Sequence, residues 1–202
     1  MRKIKMCIWV VFISLISVLP VVAQECYVSS YQNSYFNKEF EIRAKDFKNK
    51  NSEIVYIGIE SEYASEAYIE VWARNLDKFR NSLVMARDKF LEWQEIAVEN
   101  DVEPFQKKMD IKFPFIGTVW YSTKWWYNYA TNLVMSFKIL SSGRAIAIWS
   151  PKVKAASNQF VDQQLYFIFQ SEDDFNNLIE ELDLQIITEK VRNAKLNKEL
   201  FK

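Results

Sequence analysis

From Ile111 to Leu140 the apolar residues fall on odd positions: Ile111, Phe113, Phe115, Val119 and Tyr121, then Trp125, Tyr127, Tyr129, Leu133, Met135, Phe137 and Ile139. Even positions carry Lys112, Thr118, Asn128, Asn132, Ser136 and Lys138. Side chains on a strand alternate between faces, so this period of two predicts two long antiparallel strands joined at Ser122-Thr123-Lys124. Directly opposed residues must share a face. A three-residue connection therefore sets Tyr121 against Trp125, Trp120 against Trp126 and Val119 against Tyr127. The rings of VWYSTKWWYNYA divide accordingly. Tyr121, Trp125, Tyr127 and Tyr129 are expected on the apolar, core-facing side, and Trp120 and Trp126 stacked across strands on the more polar side.

The same reading applied to the rest of the chain predicts four more strands and three helical stretches. IVYIGIE (Ile54 to Glu60) is a short β-branched run. AYIEVW (Ala67 to Trp72) alternates, with Ala67, Ile69 and Val71 on one face and Tyr68 and Glu70 on the other, so the two form a hairpin. A helical stripe of Leu76, Phe79, Leu83, Ala86, Phe90 and Ala97 follows, with Asn75 as its expected N-cap and an end near Asn100. The stripe also runs back through Ala64, Tyr68 and Trp72, as one longer helix would. The β-branched Ile69 and Val71 favour strand up to Trp72.

Downstream, RAIAIWSPKVKA predicts a fifth strand with Pro151 at a bulge or edge, and LYFIFQ a sixth that is central or covered on both faces. Ser171 and Asp174 have capping-box spacing. Glu172, Asp173 and Asp174 complement the N-terminus of a helix anchored by Phe175, Leu178, Ile179 and Leu182. Residues 185–202 read as a basic surface helix whose apolar stripe, Ile187, Val191 and Ala194, is thin for a membrane-surface role. The expected fold is α+β: an antiparallel sheet of about six strands packed on one long helix, with C-terminal helices.

The first residues change the picture of where this fold works. Arg2, Lys3 and Lys5 precede an apolar run from Met6 to Leu19, then Pro20 and the small-residue site Val21-Val22-Ala23. That is the anatomy of an export signal cleaved after Ala23, so residues 1–23 are expected to be lost and the protein to be secreted or periplasmic, with no integral membrane span. Residues 24–52 read as a polar lead-in without steady periodicity, ending in an Asn/Lys/Ser cluster, and 53–202 as one α+β domain.

Cleavage removes three basic residues and no acidic one, so a chain balanced at 26 basic against 26 acidic becomes mildly acidic. No nucleic-acid footprint is expected from that balance. Cys26 becomes the one cysteine of the exported chain, which excludes an intramolecular disulfide. Glu25 beside it does not fit the small-residue pattern that precedes a lipidated cysteine, leaving a thiol or an interchain bond.

The succession IVYIGIESEYASEAYIEVWA, KFRNSLVMARDKFLEWQEIAVENDV, KKMDIKFP and FVDQQLYFIFQSEDDFNNLIEELDL resembles a family of small secreted proteins of Bacteroidetes-type bacteria, a domain of unknown function. The resemblance covers most of the exported chain and rests on packing patterns. It implies a compartment and carries over no activity or site residue.

Composition bounds the chemistry further. Histidine is absent, which removes Ser-His-Asp and Cys-His pairs, histidine metal sites and the usual neutral-pH proton shuttle. The three glycines, Gly58, Gly117 and Gly143, are isolated, so no phosphate-cradling loop or dinucleotide fingerprint can be written, and no cofactor is expected. The acidic run at 172–174 reads as a helix cap, and no metal is expected there.

The expected function is a non-catalytic module that binds a protein or glycan partner, with Trp120 and Trp126 at the hairpin tip as its candidate contact; the plainer reading of the same pair is that they brace the hairpin or are covered by a neighbouring helix. Two alternatives stand beside it. One is an envelope-polymer hydrolase working with carboxylates among Glu60, Glu62, Glu66 and Glu70. The other is a periplasmic immunity or inhibitor protein.

Overall fold

A computed structural model describes residues 25–45 and 53–200. The export signal expected at 1–23 and the Asn/Lys/Ser cluster that closes the lead-in lie outside the described residues.

The fold is α+β, with two antiparallel sheets of six strands in place of the single sheet expected. The first sheet runs in the order β1 (Glu25–Asn33), β2 (Lys38–Lys45), β3 (Ile54–Gly58), β5 (Glu66–Trp72), β7 (Ile116–Tyr121) and β8 (Trp125–Thr131). The second contains β11 (Lys152–Ala155), β12 (Asn158–Phe169), β10 (Ala145–Trp149), β9 (Ser136–Ile139) and β6 (Gln106–Lys108), and the short β4 (Glu60–Ser61) pairs with β12. Three helices complete it: α1 (Ala73–Glu99), α2 (Glu172–Glu181) and α3 (Leu184–Leu200).

Most of the additional strands lie in the lead-in and beyond the point where the chain changes sheets. The lead-in forms the β1–β2 hairpin, whose Phe40, Ile42 and Ala44 are buried while Glu39 before them and Glu41 among them are exposed. That alternation is a strand signal in its own right. Asn37 closes the hairpin turn in the left-handed region, a conformation asparagine tolerates.

The long strand expected from Trp125 to Leu140 is interrupted. β8 belongs to the first sheet and β9 to the second, and Asn132–Met135 carries the chain between them with Leu133 and Met135 buried. The segment Ile111–Phe115 ahead of β7 is not strand.

Strand β5 feeds α1 without a break. The N-cap position is Trp72 rather than Asn75, no side chain caps it, and the Ala73 N–H donates to the Glu53 carbonyl at 2.9 Å. A backbone partner inherited from the sheet thus replaces the polar cap that the sequence suggested. The stripe itself is as expected, with Leu76, Phe79, Leu83, Ala86 and Phe90 buried. One contiguous core joins these residues to the inner faces of both sheets and to α2 and α3, including Ile187 and Val191 of the thin C-terminal stripe.

Pro151 separates β10 from β11, yet the register against β12 does not slip: Trp149 opposes Phe167 and Lys152 opposes Gln164. Proline lacks an N–H but can still accept, and the Leu165 N–H donates to the Pro151 carbonyl at 3.1 Å. The two sheets meet where Ala156 N–H donates to Tyr127 O at 2.7 Å and Asn128 Nδ2 donates to Lys154 O at 2.9 Å. The edge of the first sheet is thereby tied to the β11–β12 hairpin. Among the described residues, no helix is long and apolar enough to cross a membrane.

Candidate ligand-binding face

The β7–β8 register is the one the turn length predicts: Tyr121 opposes Trp125, Trp120 opposes Trp126, and Val119 opposes Tyr127. Which face turns inward is the reverse of the expectation. On its other side β7 pairs with β5, where Trp120 opposes Ala67 and Thr118 opposes Ile69. Ala67 and Ile69 point into the core, so Trp120 does too, and it is only 1% exposed. Trp126 is half-buried against the same core; its Nε1 donates to Ser122 Oγ, and the Lys124 ammonium lies 4.2 Å from its ring centroid. Trp120 and Trp126 thus brace the hairpin from inside and form no exposed platform.

The ring set expected in the core forms the outer face instead. Trp125 and Tyr127 are each 37% exposed and Tyr129 is 72% exposed. The ladder arranges this face in rows, because opposed residues share a side. One row crosses Tyr68, Val119 and Tyr127; the next crosses Arg43, Tyr56, Glu70 and Gly117; a third crosses Glu66, Tyr121 and Trp125.

At the centre of these rows Tyr56, Tyr68, Val119, Trp125 and Tyr127 line a pocket of about 60 Å³. Tyr56 and Tyr68 meet edge to face at 6.2 Å, Trp125 tilts over Tyr68 at 6.4 Å, and Tyr121 supports Trp125 at 5.1 Å. Edge-to-face and tilted arrangements suit rings whose faces are negative and edges positive.

Charged groups fix the rings. Tyr68 donates its hydroxyl to Glu66 at 2.9 Å, and the Arg43 guanidinium lies 5.2 Å from the Tyr68 centroid. Arg43 is itself held by Glu41 at 2.7 Å and Glu66 at 3.4 Å. Burial first, then the bond to Glu66, holds the Tyr68 phenol well above the usual tyrosine range, so it stays a neutral donor. Glu70 is 8% exposed and its carboxylate lies across Gly117.

The four hairpin glutamates expected to serve a hydrolase have other surroundings. Glu60 pairs with Lys38 at 2.9 Å and Glu66 with Arg43. Glu66 and Glu70 share the outer face of β5, four residues of strand apart. Among the described residues no group of three His, Cys, Asp or Glu side chains is placed to hold a metal. Cys26 is buried in β1. A wider groove of about 440 Å³ over β6, β9 and β10 contains Lys138 as its one charged side chain.

Strand β5 shows its inward residues by alternation, but the register that sets Trp120 opposite Ala67, and so turns Trp120 inward, is a product of the fold. Compared with protein-family models, with curated proteins and with solved structures, the chain matches none.

Proposed function

We propose that the chain is an exported, non-catalytic binding module that engages an extracellular ligand or protein partner through the outer aromatic face of the first sheet. One observation carries this reading. Trp125, Tyr127 and Tyr129 lie exposed along one strand, and the first two line a pocket with Tyr56, Tyr68 and Val119. Contiguous exposed rings are costly in water and mark contact surfaces, and tyrosine and tryptophan offer large rigid area with a polar edge. Export is supported by the basic, apolar and small-residue succession of residues 1–23.

The test is a binding screen of the mature chain against glycans and envelope extracts, repeated with a Trp125→Ala/Tyr129→Ala variant. Binding lost in the variant while its circular dichroism is unchanged supports the reading. Binding that survives both substitutions sinks it.

A further inference from the structure

We infer that the outer pocket takes a trimethylammonium group, the head of a choline-type ligand; the inference rests on the outer face being the contact surface. Size is the first argument. The pocket is small, about 60 Å³, and opens to solvent, so a compact head seats in it with one side still in water. A sugar ring would have to lie across the mouth rather than enter.

The chemistry of the wall is the second. Four rings and one valine line it, with no amide or charged side chain among them. A primary ammonium entering such a wall would give up water acceptors and find only tyrosine hydroxyls in their place, whereas N-methyl groups need no acceptor. Their positive charge is instead attracted by the negative faces of the rings, most strongly by an indole. This molecule already makes that kind of contact, since Arg43 stacks on Tyr68.

Charge around the pocket is the third. Glu41, Glu66 and Glu70 share the outer face with Arg43, in the rows crossing Tyr68 and its neighbours. Lys45, the next cation of β2, stands opposite Ile54, one step further along the ladder. Acidic groups therefore outnumber basic ones nearest the rings, which favours a cationic guest.

The experiment is a tryptophan-fluorescence titration of the mature chain with choline chloride. The controls are sodium chloride and the uncharged isostere of choline, in which a tert-butyl group replaces the trimethylammonium. We expect a saturable response to choline, at least tenfold weaker for the isostere, and at least tenfold weaker again for choline on Trp125→Ala. Equal affinity for the isostere overturns the inference, because the pocket would then be reading shape alone. If choline gives no saturable response while another ligand binds in a Trp125-dependent way, the ammonium assignment falls and the contact face stands. With neither, both fall. The comparison of choline with its isostere uses the unaltered protein, so it is decisive even if the variant does not fold.

Discussion

Glu70 lies across Gly117, its partner in the β5–β7 ladder, so closely that a Cβ built at position 117 would stand 2.3 Å from Glu70 Oε2 and 3.1 Å from its Cβ. The carboxylate tip can swing away, but the Glu70 Cβ is fixed by the strand. Gly117→Ala is therefore expected to destabilise the protein by about 1 to 3 kcal/mol, the usual cost of overpacking. The penalty should shrink when Glu70 is also alanine. A double-mutant cycle by urea denaturation reads the coupling, and additive effects would show that the two residues do not meet as described.

The inverted hairpin makes the two tryptophan positions a direct contrast. Trp120→Ala removes a ring from the main core and is expected to cost about 3 to 5 kcal/mol. Trp125→Ala trims a partly exposed ring that touches Tyr68 and Tyr121, and is expected to cost less than about 1.5 kcal/mol. Acrylamide quenching adds a second readout: replacing Trp125 by phenylalanine should lower the quenchable fraction of emission, and replacing Trp120 should not. The opposite pattern would restore the face assignment that the sequence alone suggested.

Much of the fold was legible because local patterns are strong where burial is one-sided. The α1 stripe, the β3–β5 hairpin and the β7–β8 register all follow from spacing, and each rests on residues whose neighbours in sequence already settle the matter. The inward face of β7–β8 was not legible from those strands by themselves. Both faces of VWYSTKWWYNYA are aromatic, so the odd-even pattern carried in from the flanking residues points the wrong way there, and the choice is made by Ala67 and Ile69 on a strand some fifty residues earlier. The second sheet was hidden for a related reason. The odd-numbered pattern continues from Tyr129 to Ile139, although the chain changes sheets at Asn132–Met135.

Thr118 turns inward with Trp120, and its Oγ1 is buried with no hydrogen-bond partner among the described residues. A buried hydroxyl without a partner loses its water and regains nothing. Thr118→Val keeps the branched shape and removes that cost, so the midpoint of urea unfolding should rise, by about 1 kcal/mol in stability. A loss of stability would mean that Oγ1 is satisfied in solution.

Asp174 does more than the capping box predicted. Its N–H donates to Ser171 Oγ at 3.2 Å, as that motif requires. Its buried carboxylate reaches beyond the helix, accepting from Ser34 N–H at 2.7 Å, Ser34 Oγ at 3.0 Å and Gln170 N–H at 2.9 Å. Both oxygens face donors, and the bonds to Ser34 fasten α2 to the turn of the β1–β2 hairpin. Asp174→Asn puts an amide N–H₂ where an acceptor is needed, leaving a buried donor opposed to donors. Hydrogen bonds to a charged acceptor contribute about 1.5 to 3 kcal/mol each, so a loss of at least about 2 kcal/mol is expected, more than Ser171→Ala at about 1 kcal/mol. Hydrogen exchange should locate the effect: amide protection near Ser34 falls in Asp174→Asn and holds in Ser171→Ala. Equal protection in the two variants would reduce Asp174 to an ordinary member of the helix cap.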